Sequence, residues 1–505
     1  MTAMYVTSMA TPFPHDQPHI VVVGGGITGM SAAYELGRAV RDGAAPIAVT
    51  LIEREARLGG KVVTERNGPF IIEGGPDSFM AQKPWAAELA REIGLGDELM
   101  VASPMRRTIW VLHNGRPHPL PEGMLLIVPT RIAPFAFSPL ISLPGKLRMA
   151  LDLFVPARRD DGDETLADFI RRRLGHEALD RLAEPILSGI HSAECERQSI
   201  MATFPRFREL EKRHGSLIRG MLAARRAAPP SSAVHQSPFM TLRSGMGALI
   251  DRLERHLTAR ILTGRQVTAL MHNPTAVRPY RLYLDNGALL EADAVILATP
   301  AYVAADLVDK AFPDLASSLR AIRYVSTATI SLVYRRSEVG TPLDGYGLVI
   351  PRSERSQINA CTLSSVKFRH RAPDDYLLLR CFVGGSRKPE LLARDDDDLV
   401  RVAQSDLHTI LGITAAPVLT RIYRWHNGNP QYDVGHLDRI AALEARCPDG
   451  LLLAGAAYRG VGVPDCIKQG RDAARRALAL VTSVQPAKSY GFSTCVIIVK
   501  IVTLL

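Results

Sequence analysis

The feature that most constrains this chain is a glycine-rich turn after an apolar segment, which occurs near both ends. Residues 19–23 form an apolar run that leads directly into a turn of the form G-x-G-x-x-G at residues 24–29. Residues 451–455 repeat the change from an apolar run to a glycine near the other end of the chain. If both turns serve one ligand, the whole chain must fold around that ligand.

The first turn has the properties of a phosphate-binding loop. Glycine allows a tight turn at Gly24 and the close approach of a pyrophosphate at Gly26. At Gly29 it allows the following helix, which we predict over residues 30–40, to pack closely on the strand. The amino end of such a helix favours negative charge. A glycine turn that serves only packing is the alternative interpretation. The residues assigned to this loop are Gly24, Gly25, Gly26, Ile27, Thr28 and Gly29.

A carboxylate at the end of the next apolar run supports a dinucleotide site. Residues 47–52 predict a second strand, and Glu53 follows it at the distance expected of a ribose-binding carboxylate. Residues 53–61 then complete the pattern E-x-x-x-R-x-G-G-[RK]. This pattern resembles the flavin monoamine-oxidase superfamily and implies FAD rather than NAD. The alternative is a β-hairpin turn whose lysine, Lys61, is solvated.

Composition indicates a large enzyme without nucleic-acid-binding features. The 505 residues, 47% of them hydrophobic, are enough for two or three domains. The net charge of +10 suits an anionic ligand or an acidic membrane surface. Aromatic residues make up only 6% of the chain, so nucleic acid is not an expected partner. The six cysteines lack CxxC or zinc spacing, which predicts reduced thiols in a cytoplasmic protein and no metal site.

The chain ends and one apolar stretch bear on membrane contact. Residues 1–18 lack the basic start and apolar core of a signal peptide and predict a disordered extension. No run reaches the ~18 to 20 uninterrupted apolar residues that a transmembrane helix needs. Residues 123–144 are apolar but interrupted by prolines, which favours a segment that lies on a membrane or lines a pocket; an ordinary core segment is the alternative. Residues 486–505 form a tail to which we assign no role.

Helical and strand patterns alternate between these motifs. Residues 146–187 predict mainly helix, with Thr165 as the N-cap of the helix that begins at residue 166. Further predictions are strands at residues 328–334 and 376–383, a loop at 223–236, a helix at 248–257 and a buried strand at 292–300.

Five further sequence motifs resemble one particular family within this superfamily. They are residues 75–79, 184–190, 367–373, 425–437 and 456–467. With the motifs above they run in order from residue 19 to about residue 482, and they resemble the oxygen-dependent protoporphyrinogen/coproporphyrinogen oxidases. The resemblance implies an α/β fold: a Rossmann-like FAD-binding domain of the amine-oxidase type, a mixed-sheet substrate domain and an inserted helical, membrane-associating domain. The implied boundaries are 19–85, 237–305 and 442–485 for the FAD-binding domain, 108–205 for the helical domain, and 86–107, 206–236 and 306–441 for the substrate domain.

The same resemblance assigns cofactor contacts. The FAD phosphates would lie against residues 24–29, and Glu53 would bind the ribose. The remaining implied contacts are Gly59, Gly60 and Lys61 at the pyrophosphate, Gly75, Pro76, Asp77 and Ser78 at the flavin, Val267 at the adenine, and Val463, Pro464 and Asp465 at a helix start aimed at the flavin. A helix amino end there would stabilise the negative charge of a reduced flavin. The alternative is a surface helix that begins with proline.

The implied reaction is the oxidation of protoporphyrinogen IX or coproporphyrinogen III in haem biosynthesis. Hydride would pass from a bridge carbon to flavin N5, O2 would reoxidise the flavin to give H2O2, and three rounds would complete the porphyrin. No catalytic side chain is expected, because the cofactor supplies the redox step. Candidate substrate contacts are Lys83 for a carboxylate, Gly189 for backbone access and Phe368 for stacking. The alternatives are a solvated lysine, a helix-ending glycine and a core aromatic.

Two segments depart from the family pattern, at residues 191–195 and 427–429. The first lacks the usual glycine and proline, which adds bulk and changes the turn geometry on the substrate side of the predicted site. Three functions stay open: a porphyrinogen oxidase, another FAD enzyme such as an amine oxidase or carotenoid desaturase, and a flavin- or porphyrin-binding protein without turnover. The choice between the two porphyrinogens stays open as well. The resemblance allows a homodimer and a peripheral membrane contact.

Overall fold

The structure is a computed structural model that describes residues 17–43, 46–104, 107–125, 127–189, 192–227, 237–340 and 344–483. Residues 1–16 of the predicted extension and the whole tail at residues 486–505 lie outside these ranges. Among the described residues, no helix combines the length and the apolar character needed to cross a membrane.

Strands and helices alternate along the chain. The strands are β1 His19–Val23, β2 Ala48–Ile52, β3 Thr64–Asn67, β4 Phe70–Glu73, β5 Phe79–Met80, β6 Leu99–Val101, β7 Ile109–His113, β8 Arg116–Pro119, β9 Met124–Leu125, β10 Val128–Pro129, β11 Phe239–Leu242, β12 Arg260–Leu262, β13 Val267–His272, β14 Tyr280–Leu284, β15 Leu289–Ala292, β16 Ala294–Leu297, β17 Tyr324–Arg335, β18 Gly347–Val349, β19 Ala360–Thr362, β20 Tyr376–Gly384, β21 Leu419–Pro430 and β22 Leu451–Leu453. The α-helices are α1 Ile27–Arg41, α2 Trp85–Glu92, α3 Ile132–Ala136, α4 Leu143–Ala150, α5 Leu166–Arg173, α6 His176–Ala178, α7 Ile200–Thr203, α8 Pro205–His214, α9 Leu217–Ala227, α10 Gly247–Glu254, α11 Ala301–Val308, α12 Pro313–Arg320, α13 Ser364–Lys367, α14 Asp396–Leu411, α15 His436–Arg446 and α16 Val463–Ser483. A π-helix covers Leu179–Ser188, and short 3₁₀ helices cover Gly96–Glu98, Leu151–Leu153, Arg336–Glu338, Arg369–Arg371 and Pro389–Ala393.

A five-stranded parallel sheet joins the start, middle and end of the chain. Its strand order is β12-β2-β1-β16-β22, and every neighbouring pair is parallel. All residues of β1 and β2 are buried, as their continuous apolar sequence predicts for strands covered on both faces. Because the strands run parallel, the glycine turns after β1 and β22 lie at the same edge of the sheet.

The two faces of this sheet pack against different helices. Ile20 and Val22 of β1 belong to a core that includes α1 and α16. Val21 and Val23 point to the opposite face and belong to a core that includes α11 and α12. The period-two alternation of β1 therefore distributes its side chains between two separate cores.

A seven-stranded mixed sheet forms the second large layer. Its order is β21-β17-β20-β19-β18-β7-β8, in which β18 and β7 form the parallel pair and the other neighbours are antiparallel. The strands predicted at residues 328–334 and 376–383 are confirmed: the first lies within β17, which begins four residues earlier, and the second covers β20 except for its last residue. Helix α14 packs its buried leucines into the same core as the centre of this sheet.

The segments from α3 to α9 form a mostly helical region with its own core. The predicted N-cap is confirmed, because the Asp168 backbone N–H donates to the Thr165 hydroxyl over 2.9 Å. The predicted loop at residues 223–236 is wrong at its start, because α9 continues to Ala227. Leu217 and Met221 are four residues apart, so one face of the helix carries both into the core. These core contacts favour helix although the alanine-rich composition that follows is typical of a loop. Residues 228–236 of that prediction lie outside the described ranges.

The predicted α/β class with a Rossmann-like sheet is confirmed, with small differences at element ends. Helix α1 begins at Ile27 rather than at residue 30, because Gly26 already provides an extended N-cap with φ −69° and ψ 175°. Helix α10 ends at Glu254 rather than at residue 257, and the buried strand predicted at 292–300 is the shorter β16. The five cysteines in the described ranges are free thiols, as predicted.

Candidate cofactor and substrate site

The turn between β1 and α1 requires glycine at two positions and leaves space at a third. Gly24 adopts φ +105°, and a Cβ there would lie 2.8 Å from the Ala298 carbonyl oxygen. A Cβ on Gly29 would lie 1.9 Å from the Gly24 carbonyl oxygen, so α1 could not pack this closely on β1 with any other residue. A Cβ on Gly26, in contrast, would meet no atom within 4 Å. The open space at Gly26 is where the turn can receive a ligand.

The amino end of α1 is suited to an anionic group. Helix α1 has fifteen residues, no side chain caps its amino end, and its first turn, which begins with Ile27 and Thr28, contains no acidic residue. Its first backbone N–H groups therefore have no carboxylate of their own helix to satisfy them. An external phosphate can take that place, because unpaired N–H groups and the helix dipole both favour negative charge.

Glu53 and the second glycine pair border this turn. The Glu53 carboxylate accepts hydrogen bonds from the backbone N–H groups of Gly25, over 2.6 Å, and Glu55, over 2.8 Å. The Gly59 N–H donates to the Gly25 carbonyl over 2.8 Å, which places the Gly59-Gly60 turn against the turn between β1 and α1. Both glycines have positive φ, +100° and +54°. The structure thus brings together the two motifs from which the dinucleotide site was predicted.

Three other predicted cofactor residues, Lys61, Val267 and Pro76, lie in three different segments. The Lys61 ammonium donates to the Gly428 carbonyl of β21. The segment before Val267 runs beside Glu53, since the Arg265 N–H donates to the Glu53 carbonyl over 3.1 Å. Val267 itself is buried at the start of β13. Pro76 lies half-buried in the loop after β4.

The glycine pair after β4 is where the segment that contains Lys61 meets the seven-stranded sheet. A Cβ on Gly75 would lie 1.7 Å from the Lys61 carbonyl oxygen, so this close approach also requires glycine. The Arg380 guanidinium of β20 donates to the Gly75 carbonyl over 2.6 Å. The Trp425 indole N–H of β21 donates to the Gly74 carbonyl over 2.9 Å. Side chains of the second sheet therefore fix the backbone that was predicted to face the flavin.

A cluster of charged residues surrounds this backbone. Lys367 Nζ lies 3.3 Å from the Asp77 carboxylate and 3.1 Å from the Ser78 hydroxyl. Burial alone would raise the pKa of Asp77, but the charges of Lys367 and Arg380 outweigh it and hold that pKa below its ordinary value. Asp77 is therefore a carboxylate at neutral pH.

The neighbouring ion pair joins Glu73 and Arg371, whose charged atoms lie 2.9 Å apart. Burial raises the pKa of Glu73, although the charge of Arg371 opposes the change. Sequence reasoning did not assign a role to Lys367, Arg371 or Arg380. The first two lie in the string at residues 367–373, so the resemblance contained a signal for them that was not used.

The loop between β22 and α16 is held by side chains of the string at residues 425–437. The Tyr432 hydroxyl donates to the Ala456 carbonyl over 2.7 Å and accepts from the Gly460 N–H over 2.8 Å. The His436 ring stacks on the Tyr432 ring with centroids 3.9 Å apart, and His436 Nε2 lies 2.8 Å from the Tyr458 carbonyl oxygen. This string was predicted only as a family signature, and the structure shows that it shapes the loop.

The end of that loop is the helix start that was predicted to face the flavin. Helix α16 begins at Val463, with Pro464 and Asp465 in its first turn. The Gln469 side chain, one turn further on, donates to the carbonyls of Gly460 and Asp465 over 3.2 and 3.3 Å. The loop and the helix start therefore form one hydrogen-bonded unit.

The three predicted substrate contacts lie in different surroundings. Lys83 follows β5 and is bound to the Asp465 carboxylate, with contacts of 2.6 and 2.8 Å. Gly189 is exposed at the end of the π-helix, and a Cβ there would meet no atom within 4 Å. Phe368 is only 2% exposed and packs in the core with Ala102 and Tyr346. The stacking of Phe368 on a substrate stays a prediction.

The two departures from the family pattern are only partly described. His191 lies outside the described residues, whereas Cys195 is buried in the helical core. In the second departure Asn427 adopts φ +44°. The Asn429 amide donates to the Thr327 hydroxyl of β17 over 3.0 Å. Both asparagines therefore belong to the edge of the seven-stranded sheet.

Among the described residues, no group of three His, Cys, Asp or Glu side chains is placed to hold a metal ion. The residues present instead fit a dinucleotide: an open glycine turn, an uncapped helix start, a carboxylate at the end of β2 and a second helix start.

Comparison with known proteins gives consistent matches over nearly the whole chain. The model of the family described as flavin containing amine oxidoreductase matches residues 27–478. A coproporphyrinogen III oxidase from Bacillus subtilis is 37% identical over 471 residues, which cover 92% of this chain and 99% of that protein. A chloroplastic protoporphyrinogen oxidase from Oryza sativa is 30% identical over 92% of this chain and 89% of that protein. A crystal structure from Exiguobacterium sp. 255-15, assigned as a protoporphyrinogen oxidase, is 34% identical and superposes with a TM-score of 0.81 over 92% of this chain and 99% of that chain.

Proposed function

Because this chain belongs to the flavin-containing amine oxidoreductase family, with FAD as its cofactor, we propose that it oxidises a porphyrinogen to a porphyrin with O2 as the electron acceptor. We further propose coproporphyrinogen III as the preferred substrate. The observation that carries the proposal is the match to a coproporphyrinogen III oxidase, which is 37% identical and 99% covered by this chain. Relatives that bear the same name are 35% and 32% identical. The rice protoporphyrinogen oxidase is 30% identical.

The described residues suggest how FAD would be held. The phosphate loop and the start of α1 would bind the pyrophosphate, with Lys61 beside it, and Glu53 would bind the ribose. The turn at Gly75 and the start of α16 would border the flavin. When bound, FAD supplies the redox chemistry by accepting hydride from the substrate and passing electrons to O2.

The protein itself would orient the substrate and exclude water. Lys83 is half exposed and can be reached by a carboxylate from solution. Lys367, Arg371 and Arg380 are buried near the predicted flavin-facing turn together with Glu73 and Asp77. With both acids ionised, this cluster carries one excess positive charge, which favours negative charge nearby. No proton transfer by a side chain is required by this assignment.

The function is tested by mixing the FAD-loaded protein anaerobically with coproporphyrinogen III or with protoporphyrinogen IX. We expect the visible absorbance of the flavin to bleach, and to bleach faster with coproporphyrinogen III. Admission of O2 should then produce porphyrin fluorescence over many turnovers.

Each competing function has its own outcome in this experiment. Bleaching by an amine or by phytoene instead of a porphyrinogen would identify another enzyme of the superfamily. Porphyrin binding without turnover would identify a binding protein. Faster reaction with protoporphyrinogen IX would overturn the proposed substrate preference alone.

We also propose that the helical region contacts an anionic membrane peripherally, on the cytoplasmic face. A row of large apolar side chains between α3 and the 3₁₀ helix after α4 is exposed, and it comprises Ile132, Phe137, Leu143, Leu147, Leu151 and Phe154. Phe137 is 89% exposed, and the leucines at 143, 147 and 151 share one helical face. Five basic residues occur in residues 131–159, namely Arg131, Lys146, Arg148, Arg158 and Arg159. Apolar exposure beside positive charge is the pattern of a surface that binds anionic lipid.

Vesicle sedimentation tests this contact. Replacement of Phe137 and Leu147 by serine should reduce binding to vesicles that contain phosphatidylglycerol in phosphatidylcholine. A matched control replaces Val277 and Val418, which are 81% and 46% exposed elsewhere on the surface, and should bind like the unchanged protein. Equal vesicle binding by the two variants would show that this surface does not contact the membrane.

The domain boundaries and a homodimer remain predictions.

A further inference from the structure

Lys83 and Asp465 form an ion pair between two elements that border the proposed substrate site. Lys83 lies between β5 and α2, and Asp465 lies in the first turn of α16. The Lys83 ammonium contacts both carboxylate oxygens of Asp465, over 2.6 and 2.8 Å. The predicted carboxylate anchor is thus already bound to a carboxylate of the protein.

The surroundings fix the carboxylate more firmly than the ammonium. A Cβ on Gly460 would lie 2.6 Å from Asp465 Cβ, and a Cβ on Gly462 would lie 2.9 Å from Asp465 Oδ2. The loop before α16 therefore wraps closely around the Asp465 side chain. The amino end of a helix also favours a negative charge in its first turn. The Asp465 carboxylate is consequently held in place.

The ammonium of Lys83 remains accessible from solution. Its side chain is 45% exposed, whereas the Asp465 side chain is 12% exposed. An ammonium has three N–H donors, so it can contact a second carboxylate from the solvent side. Such a ligand carboxylate has to share Lys83 with Asp465.

We propose that Asp465 is a positioning residue that competes with the substrate carboxylate for Lys83 and so sets the affinity of the site for carboxylated porphyrins. This inference rests on the proposed function. The competition has a physical reason: the isolated pair is neutral, so Lys83 offers a ligand less attraction than a free cation would. Asp465 thereby keeps binding of the carboxylated product weak enough for release.

The proposal predicts opposite effects for the two halves of the pair. Asp465→Asn removes the competing charge and should tighten binding of coproporphyrin III by about tenfold, the size expected of one charge-assisted hydrogen bond. Lys83→Met removes the cation and leaves Asp465 near the ligand, so it should weaken binding by about tenfold. A purely structural ion pair predicts instead that both variants weaken binding or leave it unchanged.

Lys468 provides a matched control on the same helix. Its ammonium lies 5.6 Å from the centre of the Trp85 ring at the start of α2 and pairs with Asp472 over 2.5 Å. Lys468→Met therefore removes an equal charge from the same interface without contact to Asp465. We expect it to bind coproporphyrin III with unchanged affinity.

The experiment titrates each FAD-loaded variant with coproporphyrin III and follows porphyrin fluorescence, after the flavin absorbance has shown equal loading. The tetramethyl ester of coproporphyrin III, which lacks carboxylates, should bind all variants equally. Asp465→Ser serves as a second variant if the asparagine variant loads less FAD, because serine also removes the negative charge and keeps a polar side chain.

Equal affinity of the unchanged protein and the Asp465 variant for coproporphyrin III would overturn this proposal alone. Tighter binding of the ester by the Asp465 variant would also overturn it, because the gain would not depend on a carboxylate. Failure of the unchanged protein to bind coproporphyrin III would overturn the proposed function and this inference with it.

Discussion

At the scale of single residues, two glycines of the turn between β1 and α1 have different surroundings, which allows the needs of the fold to be tested apart from those of the proposed cofactor site. Gly29→Ala would place a Cβ 1.9 Å from the Gly24 carbonyl oxygen, so β1 and α1 would have to move apart. Gly26→Ala would meet no protein atom within 4 Å, and its φ of −69° suits alanine.

We therefore expect different outcomes from these two variants. Gly29→Ala should lower both the thermal midpoint of the apoprotein and its flavin content, with a loss of stability of about 1–3 kcal/mol. Gly26→Ala should leave the apoprotein midpoint unchanged and weaken only FAD binding, because its methyl group occupies the space left for the phosphates. Differential scanning fluorimetry and flavin absorbance after gel filtration measure the two quantities. Normal FAD retention by Gly26→Ala would contradict this assignment of the loop.

His436 gives a prediction for pH. Burial lowers its pKa from 6.5 to about 4, although its hydrogen bond to the Tyr458 carbonyl opposes the change. Because the unfolded chain binds a proton more readily than the folded protein, the stability contributed by neutral His436 is full above pH 6.5 and is lost as the pH falls from 6.5 towards 4.

Replacement of His436 tests whether its protonation causes this loss of stability at low pH. Between pH 7.5 and pH 5 the free energy of unfolding should fall by about 2 kcal/mol because of His436, and His436→Asn should lose that part of the pH dependence. His19, whose pKa burial also lowers to about 4, keeps its own contribution in the variant. Urea unfolding at several pH values measures the slope, and the exposed His176→Asn is the control, with an unchanged slope. An equal slope in His436→Asn and the unchanged protein would disprove the assignment.

At the scale of elements, the loop between β22 and α16 depends on side chains from another part of the chain. Tyr432 satisfies the Ala456 carbonyl and the Gly460 N–H with one hydroxyl group. Tyr432→Phe leaves both backbone groups without this partner, which costs about 1–3 kcal/mol. Since the loop leads into the helix that would face the flavin, we expect faster dissociation of FAD as well as lower stability.

The dissociation rate of FAD, followed by flavin fluorescence after dilution, measures this effect. Tyr283→Phe is the control, because Tyr283 is 41% exposed on β14 and far from the loop in sequence. An unchanged dissociation rate in Tyr432→Phe would show that the hydroxyl does not shape the cofactor site.

At the scale of the whole molecule, the parallel sheet joins strands from the start, middle and end of the chain. A ligand bound at the turns after β1 and β22 therefore stabilises contacts between distant parts of the sequence. We expect FAD at one hundred times its dissociation constant to raise the free energy of unfolding by about 2.7 kcal/mol, provided that the unfolded chain does not bind it. Thermal midpoints at increasing FAD concentration measure this; a midpoint independent of FAD would contradict the proposed site.

The extent to which sequence predicted the fold depends on the range of the interactions. The strands β1 and β17 and the N-cap Thr165 follow from local patterns, and each was predicted close to its observed position. Helix α9 was misjudged at residues 223–227 because its core contacts outweigh a composition typical of loops. Phe368 lies in a core with Ala102 and Tyr346, an arrangement that depends on long-range packing, and its substrate role stays a prediction.

The sequence by itself determined the glycine-rich turn after β1, the carboxylate at the end of β2 and the membership of a flavin family, because these depend on residues close together in the chain and on the conformational freedom of glycine. Only the tertiary structure decided which side chains surround the site. The contacts of Lys83 with Asp465, Arg380 with Gly75, and Tyr432 with Ala456 each join different elements through one or two hydrogen bonds. Such contacts leave no periodic trace in a sequence, since a single long-range pair changes neither local propensity nor hydrophobic pattern.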